Sequence, residues 1–167
     1  RYGWGDGKAS FRVTAARRVD RGFDNVIDDS KVARFQFRAD LAPTERDDVM
    51  IQLGTAEVWR GEGAGTGTNP YRNVGNEEAH LHMRWRRQLS ADEELQLRVV
   101  HERERPMDRF IAVSGAVTAV ADSGGIGERT EVGLQHALRI APTLRAAWGG
   151  EWRYETARSQ PVYFTRD

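Results

Sequence analysis

An all-β fold, arranged as an antiparallel up-and-down meander, is what this 167-residue sequence predicts. Three observations carry that expectation. Apolar and polar residues alternate with period two through seven separate segments, and none of these keeps a helical period. The segments run to about 11 to 13 residues, whereas strands of soluble domains average about 5 or 6. Short and long connectors alternate, which gathers each kind at one end of the strands. Together these features predict a partial transmembrane β-barrel of about seven to eight long strands, with residues 1–167 forming a single segment of barrel wall.

The strands are taken in chain order. The first, Lys8 to Val19, sets Phe11, Val13 and Ala15 against Arg12, Thr14 and Arg18. In the second, Lys31 to Leu41, Ala33, Phe35, Phe37, Ala39 and Leu41 alternate with Arg34, Gln36, Arg38 and Asp40. On a helix this pattern would scatter apolar groups around the whole cylinder. The third, Val49 to Arg60, has Val49, Ile51 and Leu53 opposite Gln52 and Gly54. The fourth, Glu77 to Leu89, places Ala79, Leu81, Met83, Trp85 and Leu89 on one face. Its other face carries Glu78, His80, His82, Arg84, Arg86 and Gln88, and Arg87 interrupts the apolar side. Such a charge can snorkel to a membrane boundary. The fifth, Glu94 to Arg105, sets Leu95, Leu97 and Val99 against Gln96 and Arg98. The sixth, Arg129 to Ile140, sets Val132, Leu134 and Leu138 against Glu131, Gln135 and Arg139. The seventh, Thr143 to Glu155, sets Leu144, Ala146, Trp148, Trp152 and Tyr154 against Arg145, Glu151 and Arg153.

Short turns are expected at Trp4 to Gly7 (with Arg1 to Gly3 ending an earlier strand), Ala42 to Asp48, Ser90 to Glu93, and Ala141 to Pro142. Long connectors are expected at Asp20 to Ser30, Gly61 to Asn76, Pro106 to Glu128 and from Thr156 onward. Within the third of these, Phe110 to Val120 is apolar and β-branched, and reads either as an extra hairpin or as an uncounted strand.

Composition narrows the function. Twenty-five basic residues balance 25 acidic ones, and a nucleic-acid binder would carry a basic excess. There is no cysteine, which removes disulfides, thiolate metal sites and cysteine nucleophiles. No apolar run reaches the roughly 18 residues of a membrane helix. The low mean hydropathy of -0.66 is still compatible with a membrane, because a spanning strand needs only every second residue apolar.

VARFQFRADLAPTERDDVMIQLG, AHLHMRWRRQLSADEELQLRVVH and EVGLQHALRIAPTLRAAWGGEWRYE resemble barrel hairpins of TonB-dependent outer-membrane receptors, as does the opening RYGWGDGKASFRV. The resemblance covers nearly the whole chain and rests on patterns rather than invariant signatures. It implies a barrel of about 22 strands with a separate plug domain, placed in the Gram-negative outer membrane. It further implies uptake of a siderophore, cobalamin or similar ligand, driven through TonB. Seven or eight strands cannot close such a barrel, so the chain is expected to be an internal piece that meets TonB only through regions outside it. Outer-membrane lipid and a small molecule such as a ferric siderophore are the partners implied. Neither an enzyme, a cofactor nor a nucleic-acid partner is expected. The alternative is a soluble all-β ligand- or carbohydrate-binding module that uses the aromatics as a platform.

Candidate site residues sit on the polar face. Arg34, Arg38 and Arg84 suit an anionic ligand, although arginines there also serve simply to solvate and cross-link a wall. His80 and His82 share that face with Glu78. Imidazoles and a carboxylate so placed can ligate a transition metal, but the plainer reading is of polar residues facing a wet interior, and no metal site is expected. His101 and His136 fall on the opposite face and read as structural. Glu102 with Glu104, and Asp47 with Asp48, lack a nucleophile or a shaped pocket beside them, so no catalytic pair is expected. Gly61 to Gly65 lacks the Gly-Lys-Ser/Thr ending of a phosphate loop.

Overall fold

A computed structural model describes residues 1–24 and 27–159. Ten strands follow in chain order: β1 (Tyr2–Gly5), β2 (Ala9–Asp20), β3 (Ser30–Thr44), β4 (Asp47–Glu62), β5 (Arg72–Ser90), β6 (Glu93–Met107), β7 (Arg109–Ser114), β8 (Val117–Asp122), β9 (Gly125–Ala141) and β10 (Leu144–Ser159). Eight of them form one antiparallel sheet in the order β1-β2-β3-β4-β5-β6-β9-β10. Among the described residues there is no helix. The meander is as expected. The sheet is open: β1 and β10 are its two edges and do not pair with each other.

The long strands exceed their expected bounds, reaching 19 residues in β5 and 17 in β9. The turns shrink to match. Only Glu45 and Arg46 separate β3 from β4, only Ala91 and Asp92 separate β5 from β6, and only Pro142 and Thr143 separate β9 from β10. Trp4, expected in a turn, lies within β1 opposite Phe11. β10 runs on through Thr156 to Ser159, and the remainder of the connector expected there lies outside the described residues.

Phe110 to Val120 resolves into the extra hairpin. β7 and β8 pair only with each other, and Gly115 takes a positive φ of 60° in their two-residue turn, a backbone conformation that glycine adopts without steric cost. The hairpin stands at the end of the sheet that carries the long loops. Arg72 ties it down with two parallel hydrogen bonds to Asp108, at 2.6 and 2.9 Å, while its guanidinium lies 4.0 Å from the Phe110 ring centre. The Asp108 hydrogen bond lifts the Arg72 guanidinium further above its usual range. The Val113 amide also bonds the Gly67 carbonyl at 2.6 Å, so the hairpin and the 63–71 loop are held together.

Register fixes two faces. One carries Phe11, Val13, Phe35, Phe37, Ile51, Leu53, Leu81, Met83, Leu97, Val99, Val132 and Leu134 at mutually adjacent positions. Among the described residues nothing covers this face. Leu53, Leu81 and Leu134 are 37%, 39% and 41% exposed, and among the described residues the only buried apolar side chains are Ala39 on this face and Val100 on the other. A soluble sandwich would lay a second sheet here, and the described residues form none.

Candidate functional site

The polar face is built from alternate residues of seven long strands, and pairing register sorts it into rows. One row runs Arg12, Arg38, Gln52, His82, Val100. The next toward the short turns runs Ser10, Asp40, Met50, Arg84, Arg98. Toward the long loops come Thr14, Gln36, Gly54, His80, Glu102, Arg129 and then Ala16, Arg34, Ala56, Glu78, Glu104.

The sequence candidates therefore share a face but not a single site. Glu78, His80, His82 and Arg84 follow one another along β5, whereas Arg34 and Arg38 lie two strands away on β3. His80 packs across β4 because residue 54 is glycine: a Cβ there would meet the His80 Cε1 at 2.6 Å and the Phe35 carbonyl oxygen at 3.1 Å. Gly54→Ala should therefore displace the His80 ring and cost about 1–3 kcal/mol of stability by overpacking. A urea titration, read beside the NMR shift of the His80 ring protons, checks both parts. Unchanged ring shifts would contradict the close approach.

The two histidine rings lie 5.7 Å apart between centres, and the His82 Nε2 is 3.5 Å from Glu102. Glu78 stands opposite Glu104, and the Asn76 side-chain amide donates to both, at 3.0 and 3.2 Å. Among the described residues no three histidine or carboxylate groups converge as metal ligands would. His101 and His136 occupy the other face, as expected; His101 contacts the Thr130 hydroxyl at 2.9 Å and His136 the Glu93 carboxylate at 2.8 Å.

One cluster escapes the sequence reading. Glu131, 6% exposed, is met by Arg153 at 3.0 Å, Arg129 at 3.3 Å and Arg98 at 3.6 Å. Arg98 and Arg153 also reach Glu151, and Arg129 reaches Glu102. This lattice spans β6, β9 and β10. Parity along each strand places its members on the polar face, but their contact depends on β6 pairing with β9 across the β7–β8 insertion, which no local pattern announces.

Along the strands the polar face changes sign. Its loop-side half gathers Glu78, Glu102, Glu104 and Glu155, with Arg129, around a shallow groove of about 590 Å³. Its turn-side half holds Arg12, Arg38, Arg84 and Arg98. No family model, curated protein or solved structure matches this chain.

Proposed function

We propose that the chain is a section of outer-membrane barrel wall from a TonB-dependent receptor, with its apolar face toward lipid and its polar face toward a wet interior. The observation that carries this reading is the uncovered apolar face and its borders. On β3 the apolar stripe runs from Ala33 to Leu41. At about 3.3 Å per residue this is about 26 Å along the strand, or about 20 Å along the normal after a tilt of about 40°, about four-fifths of the roughly 25 Å apolar band of outer-membrane barrels.

Charges then mark both edges of the same face. On the loop side these are Arg17, Lys31, Glu57, Glu77, Arg103, Arg105 and Glu128, with Arg105 to Glu77 at 3.4 Å and Arg103 to Glu128 at 3.5 Å. On the turn side Asp47 receives the Trp85 indole N–H at 2.9 Å and faces Arg87 at 3.7 Å. His136 lies edge-on to Trp148 beside Glu93. Tryptophan with its N–H turned to a polar group is the usual furniture of a lipid boundary. The long strands outrun the band at the loop end, so the wall stands clear of the membrane on that side.

A soluble ligand- or carbohydrate-binding module would have to leave this face to water, a contiguous patch larger than monomeric proteins usually tolerate. On the receptor reading, transport and ligand capture belong to the complete barrel, with the polar face as the interior and TonB engaged elsewhere. The test is contact with acyl chains. In vesicles of brominated lipid, the fluorescence of Trp85, Trp148 and Trp152 should fall by about half or more, since a ring within reach of a brominated chain is strongly quenched. Aqueous iodide should quench these rings poorly. Efficient iodide quenching with no bromine effect would remove the membrane from the proposal.

A further inference from the structure

The turn-side half of the polar face carries more guanidinium than its carboxylates neutralise. Register sets Arg12 directly opposite Arg38 and Arg84 directly opposite Arg98. Like charges at such positions repel. Arg98 is neutralised by Glu151 at 2.7 Å and Glu131 at 3.6 Å. Arg38 takes both oxygens of Asp40, each at 2.7 Å. Arg12 and Arg84 stand on either side of that pair, near enough for their charges to act on the Asp40 carboxylate. Among the described residues neither has an ion pair or hydrogen bond of its own. Arg12 and Arg84 are thus left free on either side of the Arg38–Asp40 pair, three strand spacings apart across the sheet and two residues apart along it, or roughly 16 Å at the backbone.

We propose that Arg12 and Arg84 form a binding site for a partner bearing two or more carboxylates, seated over the Arg38–Asp40 pair. A guanidinium grips a carboxylate through two parallel hydrogen bonds. The spacing selects among anions. A compact dianion placed midway would face the Asp40 carboxylate, whereas a partner with spread charges reaches each guanidinium separately. The same chemistry is offered by a free polycarboxylate and by the Asp and Glu side chains of a polypeptide segment. The inference deepens the receptor reading, since it gives a ligand chemistry to the same interior face, but binding itself requires only that the polar face be wet.

The test uses the full chain refolded in detergent and titrated calorimetrically with sebacate, whose two carboxylates sit at the ends of an extended chain, and, separately, with a tetra-aspartate peptide. Three forms are compared: the native sequence, R12Q/R84Q, and R17Q/R158Q, which removes the same charge from the outward face. Since Arg12 and Arg84 each oppose another arginine, their replacement relieves repulsion and leaves the fold intact. At least one ligand should bind the native chain, with affinity about tenfold or more lower in R12Q/R84Q and within about twofold in R17Q/R158Q. Binding of sebacate alone identifies a free polycarboxylate, and of the peptide alone a polypeptide segment; either supports the site. No binding to the native chain, or equal losses in both variants, overturns it. Lipid quenching reports separately on the membrane, so a wall that inserts without binding carboxylates would sink this site and leave the receptor reading standing.

Discussion

Leu81→Arg should destabilise the lipid-inserted chain by about 2–4 kcal/mol, the cost of a cation at the midplane of a barrel's outer face. Leu81 lies directly across from Leu53, near the centre of the apolar band, and is 39% exposed, with none of the described residues packed over it. The informative control is His80→Arg, one residue earlier and therefore on the opposite face at nearly the same depth. There the new guanidinium stands opposite Glu102, and with the loss of the His80 ring's packing over Gly54 its effect should stay within about 1 kcal/mol, the ordinary size of a point change. Urea titrations in lipid vesicles, followed by tryptophan fluorescence, measure both. The asymmetry is the point of the comparison. If both faces met water, Leu81→Arg would also cost within about 1 kcal/mol, and a chain that treats the two substitutions alike is not a membrane wall.

Much of this architecture was legible because period-two alternation is a local signal. Phe35, Phe37, Ala39 and Leu41 announce their strand, their face and their exclusion from a helix together. Glu78, His80 and His82 were assigned to one face for the same reason, and register bears that out. The signal fades where chemistry stops differing between faces. Beyond the apolar band Glu57, Glu77 and Arg103 bring charge to the outward side as well, so alternation ends while backbone pairing continues, and the strands were read too short. The turns were read too long for the same reason, since Thr44 and Asp47, bonded to each other, belong to the paired strands that flank Glu45 and Arg46. Side-chain neighbours were the least legible level. Arg38 joins Asp40 of its own strand rather than a neighbouring strand, a choice made by rotamer and not by pattern. That the sheet belongs to a larger ring was expected from strand length, alternating connectors and a resemblance, and nothing in the alternation of these strands distinguishes an open sheet from an arc of such a ring.

Glu131→Ala is the second substitution with a large expected effect, and its sign follows from what remains behind. Glu131 is the most enclosed carboxylate of the polar face, at 6% exposure, and it separates Arg98, Arg129 and Arg153. Its removal leaves those three guanidiniums facing one another, with Glu151, Glu102 and the more distant Glu155 nearby. Breaking a fully buried pair costs about 3–5 kcal/mol. Here the arginine side chains are 41% to 52% exposed, so water screens them and about 1–3 kcal/mol is expected. Glu151→Ala removes a carboxylate that is 42% exposed and should cost about 0–1 kcal/mol. Two further measurements separate repulsion from lost packing. Salt near 1 M shortens the screening length to about 3 Å, so it should recover part of the Glu131→Ala loss. The double variant E131A/R98A should be less destabilised than E131A alone, because one of the three opposed charges has gone. A loss indifferent to salt and unrelieved by removing Arg98 would mean that Glu131 acts through packing, and that charge lacing does not hold β6, β9 and β10 together.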